Sequence, residues 1–244
     1  MSQIIKRRVI TITSFSLLLF FTPVAIADFK PTDRKPASDY SRSAGKRGRC
    51  ANESNQTIPL TLLAPQRYVG YTASLHPTFV GFISSPETVE LRIFEFSKDN
   101  KLNQIGNPII EDVKPGVFQI SFPNKSPDLI VGKKYLWQLA INCSGGIKME
   151  SAEFIVTEIS PTLQRKLSNT KGNIQKANIY AKESLWYEAL IEALKSEKQG
   201  KLGQLGANLV KNLAEYETLG LSDKEDRVKI RIQHLQTIAM EEQS

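Results

Sequence analysis

From Pro59 the hydrophobic period of this chain is two, and it changes at Ser160-Pro161. Between Pro59 and that point apolar residues recur every second position. After it they recur every third or fourth. A period of two buries one face of a strand, and a period of 3.6 buries one stripe of a helix. The two patterns cannot trade places, so sheet must come first and helix second. The predicted class is α+β. An N-terminal antiparallel β-sandwich of about seven or eight strands, Ig-like in architecture, spans 50–158. A helical domain follows over 159–244.

The alternation is clearest in Val89-Glu90-Leu91-Arg92-Ile93, where Val89, Leu91 and Ile93 face one way and Glu90 and Arg92 the other. Lys98-Asp99-Asn100-Lys101 reads as the turn of a hairpin. Lys114-Pro115-Gly116 and Val131-Gly132-Lys133 punctuate later strands. In Tyr135–Cys143 the odd positions are Tyr135, Trp137, Leu139, Ile141 and Cys143. All five are predicted on one inward face, with Trp137 in the core.

Ser160 is a good N-cap and Pro161 suits the first helical turn. Asn173 reads as a second cap, before a face carrying Ile174, Ala177 and Ala181. Further helices are predicted over about 185–198 and from Leu202 to Tyr216. Gly220 reads as a helix terminator and Ser222–Glu225 as a capping box for a last helix. Between Tyr180 and Leu190 the pattern is that of a tetratricopeptide-like hairpin, with no second copy 34 residues away. Trp186 and Tyr187 are therefore candidate interaction residues. They are either a wedge packed between helices or an exposed aromatic for docking a partner.

The first 27 residues read as a secretory signal peptide. Lys6, Arg7 and Arg8 precede the apolar run Val9–Phe21, and Ala25-Ile26-Ala27 is a cleavage pattern. The run falls short of the ~20 residues a spanning helix needs. No later segment is apolar enough to cross a membrane, so the mature chain is expected to be periplasmic or secreted. The net charge of +7 then loses its force. Three of those charges leave with the leader, and residues 28–49 carry the rest; the remainder balances at 22 bases against 22 acids. Nucleic-acid binding is excluded on charge and compartment. Residues 28–49, rich in Pro, Ser and charge, are expected to form a flexible basic linker. An oxidising compartment predicts a disulfide between Cys50 and Cys143, the chain's two cysteines. Closing so long a loop is worth roughly 4–5 kcal/mol in the chain-entropy picture.

Catalytic patterns are missing. There are two histidines, His76 and His234, far apart in sequence. No metal-ligand spacing, nucleophile elbow or phosphate loop occurs. Glu150 and Glu153 lie three apart, which on a strand turns them to opposite faces. His76, held extended by Pro77, is a candidate interaction residue at a sandwich rim, or the cap of a turn. No cofactor is expected, and no enzymatic activity.

Several segments, in order, resemble the cyanobacterial exported "domain of unknown function 928" family. They are Gly48-Arg49-Cys50, Leu60-Thr61-Leu62 with Ala64-Pro65, His76-Pro77-Thr78-Phe79, Pro115-Gly116-Val117, Val131–Trp137, Asn142-Cys143 and Tyr180–Leu190. The resemblance covers about residues 45–200. It departs at Ser184, where Gly is usual, and at Glu188, where Asp is common. It implies an exported cyanobacterial protein with paired cysteines, and it implies no activity. The leading expectation is a non-enzymatic binding or scaffold protein of the bacterial cell envelope that docks a partner, an envelope protein, through its helices. The alternatives are glycan or cell-wall-polymer binding by the β-sandwich, or an envelope hydrolase.

Overall fold

The computed structural model describes residues 28–42, 58–143, 146–218 and 226–241. Its class is α+β, with two mostly antiparallel sheets followed by helices. A short helix α1 (Asp39–Arg42) precedes eight strands. These are β1 (Thr61–Leu62), β2 (Gly70–Thr72), β3 (Thr78–Ile83), β4 (Glu87–Phe96), β5 (Leu102–Val113), β6 (Gly116–Ser121), β7 (Lys134–Cys143) and β8 (Gly146–Val156). Helices α2 (Pro161–Ser168), α3 (Asn173–Lys182), α4 (Trp186–Leu194), α5 (Gly203–Thr218) and α6 (Asp226–Glu241) complete the order.

One sheet has strand order β1-β3-β6 and the other β2-β8-β7-β4-β5. The expected hairpin at residues 98–101 joins β4 to β5, with Ser97 N–H donating to Lys101 O at 2.8 Å. Asn100 supplies the left-handed residue, at φ 57°. One pairing breaks the antiparallel expectation: β2 runs parallel to β8. It covers backbone groups that would otherwise be an open edge.

On β7, Tyr135, Trp137, Leu139 and Ile141 are buried on the inward face as alternation predicts. They oppose Val89, Leu91 and Ile93 of β4 and Ala152 and Phe154 of β8. The two sheets meet where Phe79 of β3 stacks on Trp137, with ring centres 4.5 Å apart. Leu136 is also buried, which one-sided alternation does not predict. Its face is the outer one, where its cross-strand neighbour Glu153 bonds Ser38 of the segment before β1.

That segment corrects the expected linker. Residues 28–42 lie against the body, while 43–49 fall outside the described residues. Ala37 N–H donates to Arg67 O and Val69 N–H to Lys35 O. Glu153, fully buried on the outer face of β8, accepts from the Ser38 backbone N–H at 2.9 Å and from the Ser38 hydroxyl. Lys134 Nζ lies 3.2 Å from the same carboxylate. Composition alone pointed to disorder because the few apolar residues here are single anchors. Phe29 and Ala37 are both buried.

β8 ends at Val156 and α2 begins at Pro161, and one apolar core spans the sheets and the helices on either side. Trp137, Phe79 and Phe154 share that core with Trp186, Leu190, Leu209, Leu213 and Leu235 of the helices. Close backbone approach fixes one further junction. Val117 N–H donates to Gly200 O at 2.9 Å. Gly116, at φ 104°, has no room for a Cβ, which would sit 2.5 Å from that oxygen.

Ser160 caps α2 by accepting from Leu163 N–H at 3.1 Å. The cap of α3 is Gly172, not Asn173, whose side chain donates to Ser196 Oγ instead. Ile174 is exposed while Ala177 and Ala181 are buried, because α3 turns its small residues to its neighbour. α4 ends at Leu194, short of the expected 198. Gly220 and Ser222–Glu225 lie outside the described residues.

Candidate functional site

The turn between α3 and α4 is built on Ser184, the residue that takes the place of the usual glycine. Its φ is +61°, a conformation that favours glycine. The hydroxyl offsets that strain through three hydrogen bonds to the N-terminal segment. It bonds Thr32 N–H at 3.0 Å, the Thr32 hydroxyl at 3.1 Å, and Lys30 O at 3.1 Å. The helix pair therefore holds down residues 30–32 as well as packing on the sheets.

Immediately after it, Trp186 is fully buried. Its indole Nε1–H donates to Leu63 O at 2.9 Å, and Phe29 meets its ring edge-on at 4.9 Å. Tyr187 is buried too, and its hydroxyl accepts from Trp137 Nε1–H at 3.0 Å. Burial pushes the Tyr187 phenol far above its ordinary range. Both aromatics are interior wedges, the first of the two expected readings, and neither is an exposed docking residue. A buried ring can be exposed only by opening the core that α4 shares with both sheets.

Glu188 faces the end of β2. Its Oε1 accepts from Thr72 Oγ1 at 2.6 Å, Ala73 N–H at 2.8 Å and Ser74 N–H at 3.1 Å. Its Oε2 is buried without a hydrogen-bond partner. Burial pushes the carboxyl above its ordinary value of 4.5, and the Thr72 hydrogen bond opposes that shift. The folded state then holds a proton more tightly than the unfolded chain. The group's contribution is fully present below the unfolded value and declines as pH rises through the raised folded one. Glu188→Gln keeps an acceptor for the three donors and removes the charge. Its stability relative to the native chain is expected to rise from pH 4 to pH 7, read from urea midpoints. A constant difference across that range would refute the ionisation argument.

A second carboxylate, Glu217 of α5, is fully buried. It accepts from Gln66 N–H at 2.7 Å and pairs with Arg231 Nε of α6 at 3.0 Å. Arg231 also donates to Leu62 O at 3.0 Å and Ala64 O at 2.7 Å. Gln66 Nε2 reaches Glu150 Oε2 at 3.1 Å. Burial raises the Glu150 carboxyl, and Gln66 opposes the rise. Glu150 and Glu153 face opposite sides of β8, as their spacing predicts. No sequence motif marks these groups, because Gln66, Glu150, Glu217 and Arg231 lie on four separate stretches of chain.

Phe79, Trp137 and Tyr187, one from each of the segments His76–Phe79, Val131–Trp137 and Tyr180–Leu190, share one interior. The model of Domain of Unknown Function DUF928 matches residues 42–221 of the chain, well over half of it. The chain belongs to the DUF928 family. No curated protein matches this DUF928 chain. Among solved structures it is similar to R. palustris CsgH, at 9% identity and a TM-score of 0.26, over 38% of this chain and 89% of that one. A likeness that weak carries no argument.

In this DUF928 chain His76 is held by a loop. Its ring stacks on Phe122 at 5.6 Å, and its Nε2 lies 3.1 Å from Ser126 O and 3.5 Å from Asp128 Oδ1. The candidate interaction residues do not converge on one surface. Two are interior, and the third clamps the 122–128 loop. Cys143 ends β7, and no free cysteine is among the described residues. Cys50 lies outside them. No group of three or more metal-ligating side chains is found among the described residues, nor any helix long and apolar enough to cross a membrane.

A surface that the sequence did not single out lies on the outer face of the five-stranded sheet. Register aligns Ile110 of β5, Glu90 of β4, Ala140 of β7 and Met149 of β8 in one row. Ile147, Asn142, Thr88 and Arg92 flank it, bounding a cleft of about 580 Å³. Ile110 is 66% exposed and Ile147 is 48% exposed. The signal was present in the strand patterns, since both isoleucines occupy positions where alternation calls for polar residues.

Proposed function

We propose that this protein is an exported, non-enzymatic binding module of the cell envelope that engages a protein partner. The two sheets are read as a β-sandwich, and α3–α4 as a tetratricopeptide-like hairpin recruited for packing. Export is supported by the leader pattern in residues 1–27, which also favours pairing of Cys50 with Cys143. The non-enzymatic reading is supported by Glu150 and Glu188. Each raised carboxyl is already engaged by hydrogen bonds that hold the fold.

The single observation that carries the binding reading is the Ile110–Ile147 cleft. Ile110, Ala140, Ile147 and Met149 give it aliphatic surface, and Glu90, paired with Arg92, lies among them on β4. Exposed aliphatic side chains beside charged and polar groups suit a protein-binding patch. It replaces the hairpin aromatics as the contact surface.

The test is capture from envelope extract by the mature chain, at low and moderate salt, beside Ile110→Asp and Ile147→Asp. Both variants change exposed side chains and are expected to fold. The expected result is a captured protein lost by about tenfold or more with either change, since charge at a patch centre costs a few kcal/mol. Capture unchanged in both variants would sink the reading. Retention of glycan or wall polymer in place of protein would favour the polymer-binding alternative. In the same preparation, two free thiols after denaturation would refute the cysteine pairing.

A further inference from the structure

The Ile110–Ile147 cleft ends at an open edge of sheet. β5 is the last strand of its sheet, and no strand among the described residues pairs with its free side. Such an edge presents unpaired N–H and C=O groups that another chain can use. Half of it is blunted. Ile93 pairs with Ile105 and Leu91 with Ile109, so Gly106, Asn107 and Pro108 stand opposite Arg92 alone. Gly106 takes φ 68° in this bulge, and Pro108 has no N–H to offer. Beyond the bulge the strand is regular, and Ile109–Val113 pair residue for residue with Leu91 back to Glu87. Ile110, Glu111 and Asp112 are exposed there.

Charge decides what can pair with this half of the edge. Glu87, Glu90, Glu111 and Asp112 crowd carboxylates onto the facing stretches of β4 and β5. Arg92 is paired with Glu90 at 2.6 Å. A second copy laid antiparallel on Ile109–Val113, in full register, would set Glu111 against its own equivalent. Like charges directly opposite one another are destabilising, and opposite charges there are favourable. Ile110 stands on the outer face in the row with Glu90, Ala140 and Met149. A residue added opposite Ile110 lengthens that row, so an aliphatic side chain there is covered by it.

We propose that the partner adds a further strand to this sheet at β5, through an extended segment with an aliphatic residue opposite Ile110 and basic residues opposite Glu111 and Asp112. This names the form of the partner at the cleft and rests on the binding reading above. Backbone pairing with β5 supplies affinity, and Ile110 and the two acids select the segment. The bulge confines the contact to Ile109–Val113 and keeps the rest of the edge from pairing.

The test titrates the mature chain with the peptide Thr-Val-Lys-Lys-Ile-Thr-Val, built for antiparallel pairing. Hydrogen exchange is read at the amides of 109–113 that β4 leaves unbonded. The peptide is expected to slow them, and its counterpart with Glu for both Lys to bind at least about tenfold more weakly. Glu111→Lys with Asp112→Lys, both at exposed side chains, is expected to reverse that preference. Two versions of the peptide, N-methylated at alternate nitrogens of either parity, separate backbone pairing from side-chain contact. One is expected to bind and the other to fail. Equal binding by both overturns strand addition. So do equal affinities for the Lys and Glu peptides, and so do outward amides already slow in the free chain, whether a second copy or the chain itself protects them. Capture of an envelope protein that is lost in Ile110→Asp, with those amides unprotected in its complex, leaves the cleft reading standing and defeats strand addition. Capture indifferent to Ile110→Asp and Ile147→Asp, beside peptide binding as expected, defeats the cleft reading and leaves the edge as a strand-pairing site.

Discussion

Glu217→Ala is expected to destabilise the protein by about 3–5 kcal/mol, the range for breaking one side of a buried ion pair. The change leaves Arg231, whose side chain is 13% exposed, without its counter-charge, and leaves the Gln66 N–H without its acceptor. Arg231 would still donate to Leu62 O and Ala64 O. The uncompensated charge, and not the lost contact area, makes up most of the cost. The double change Glu217→Leu with Arg231→Met removes both charges and keeps side-chain volume, so it is expected to recover much of the loss. Urea unfolding of the three chains decides the matter. Equal destabilisation in the single and double variants would show that the lost hydrogen bonds, not an unpaired charge, set the cost of loosening α5 and α6 from the loop after β1. A loss of this size is a large fraction of the ~5–15 kcal/mol that keeps a domain folded, so the single variant is also expected to accumulate poorly.

Trp186→Ala is the second large effect, again about 3–5 kcal/mol, because it empties a fully buried site that cannot collapse. The indole is enclosed by Phe29, and its Nε1–H is spent on Leu63 O. Trp186→Phe keeps most of the ring and orphans that carbonyl, at about 1–3 kcal/mol. The graded pair separates packing from recognition. If Trp186→Ala melted like the native chain yet lost a captured partner, the ring would be an exposed contact after all. The expected result is the opposite order, with stability lost first.

The local features of this chain were legible because their causes are local. Alternation over Val89–Ile93 and Tyr135–Ile141 placed the inner sheet face correctly, since side chains two apart share a face whatever lies beyond them. Ser160 capped its helix as read, because a cap needs only three neighbouring residues. The hairpin turn near Asn100 was visible for the same reason.

The readings that stayed open or failed depend on what comes from far along the chain. Trp186 and Tyr187 carry the same letters whether exposed or buried. Only the sheet against which α4 lies, with Trp137 donating to Tyr187, makes them interior. Phe29 and Ala37 looked too sparse to order a segment. They are sufficient because their sockets are preformed by α4, α5 and β8, so little further chain has to be fixed.

By itself, then, the sequence determined the class of fold, the order of sheet and helix, the strand faces and the leader pattern, all set by periodicity and short motifs. Tertiary structure decided which polar groups are buried together and which surface remains open. Gln66, Glu150, Glu217 and Arg231 form one knot only because four separate stretches converge. Ile110 and Ile147 form one cleft only because strand register aligns β5 with β8 across two intervening strands. Burial and convergence are properties of the packed chain, and no local stretch of residues carries them.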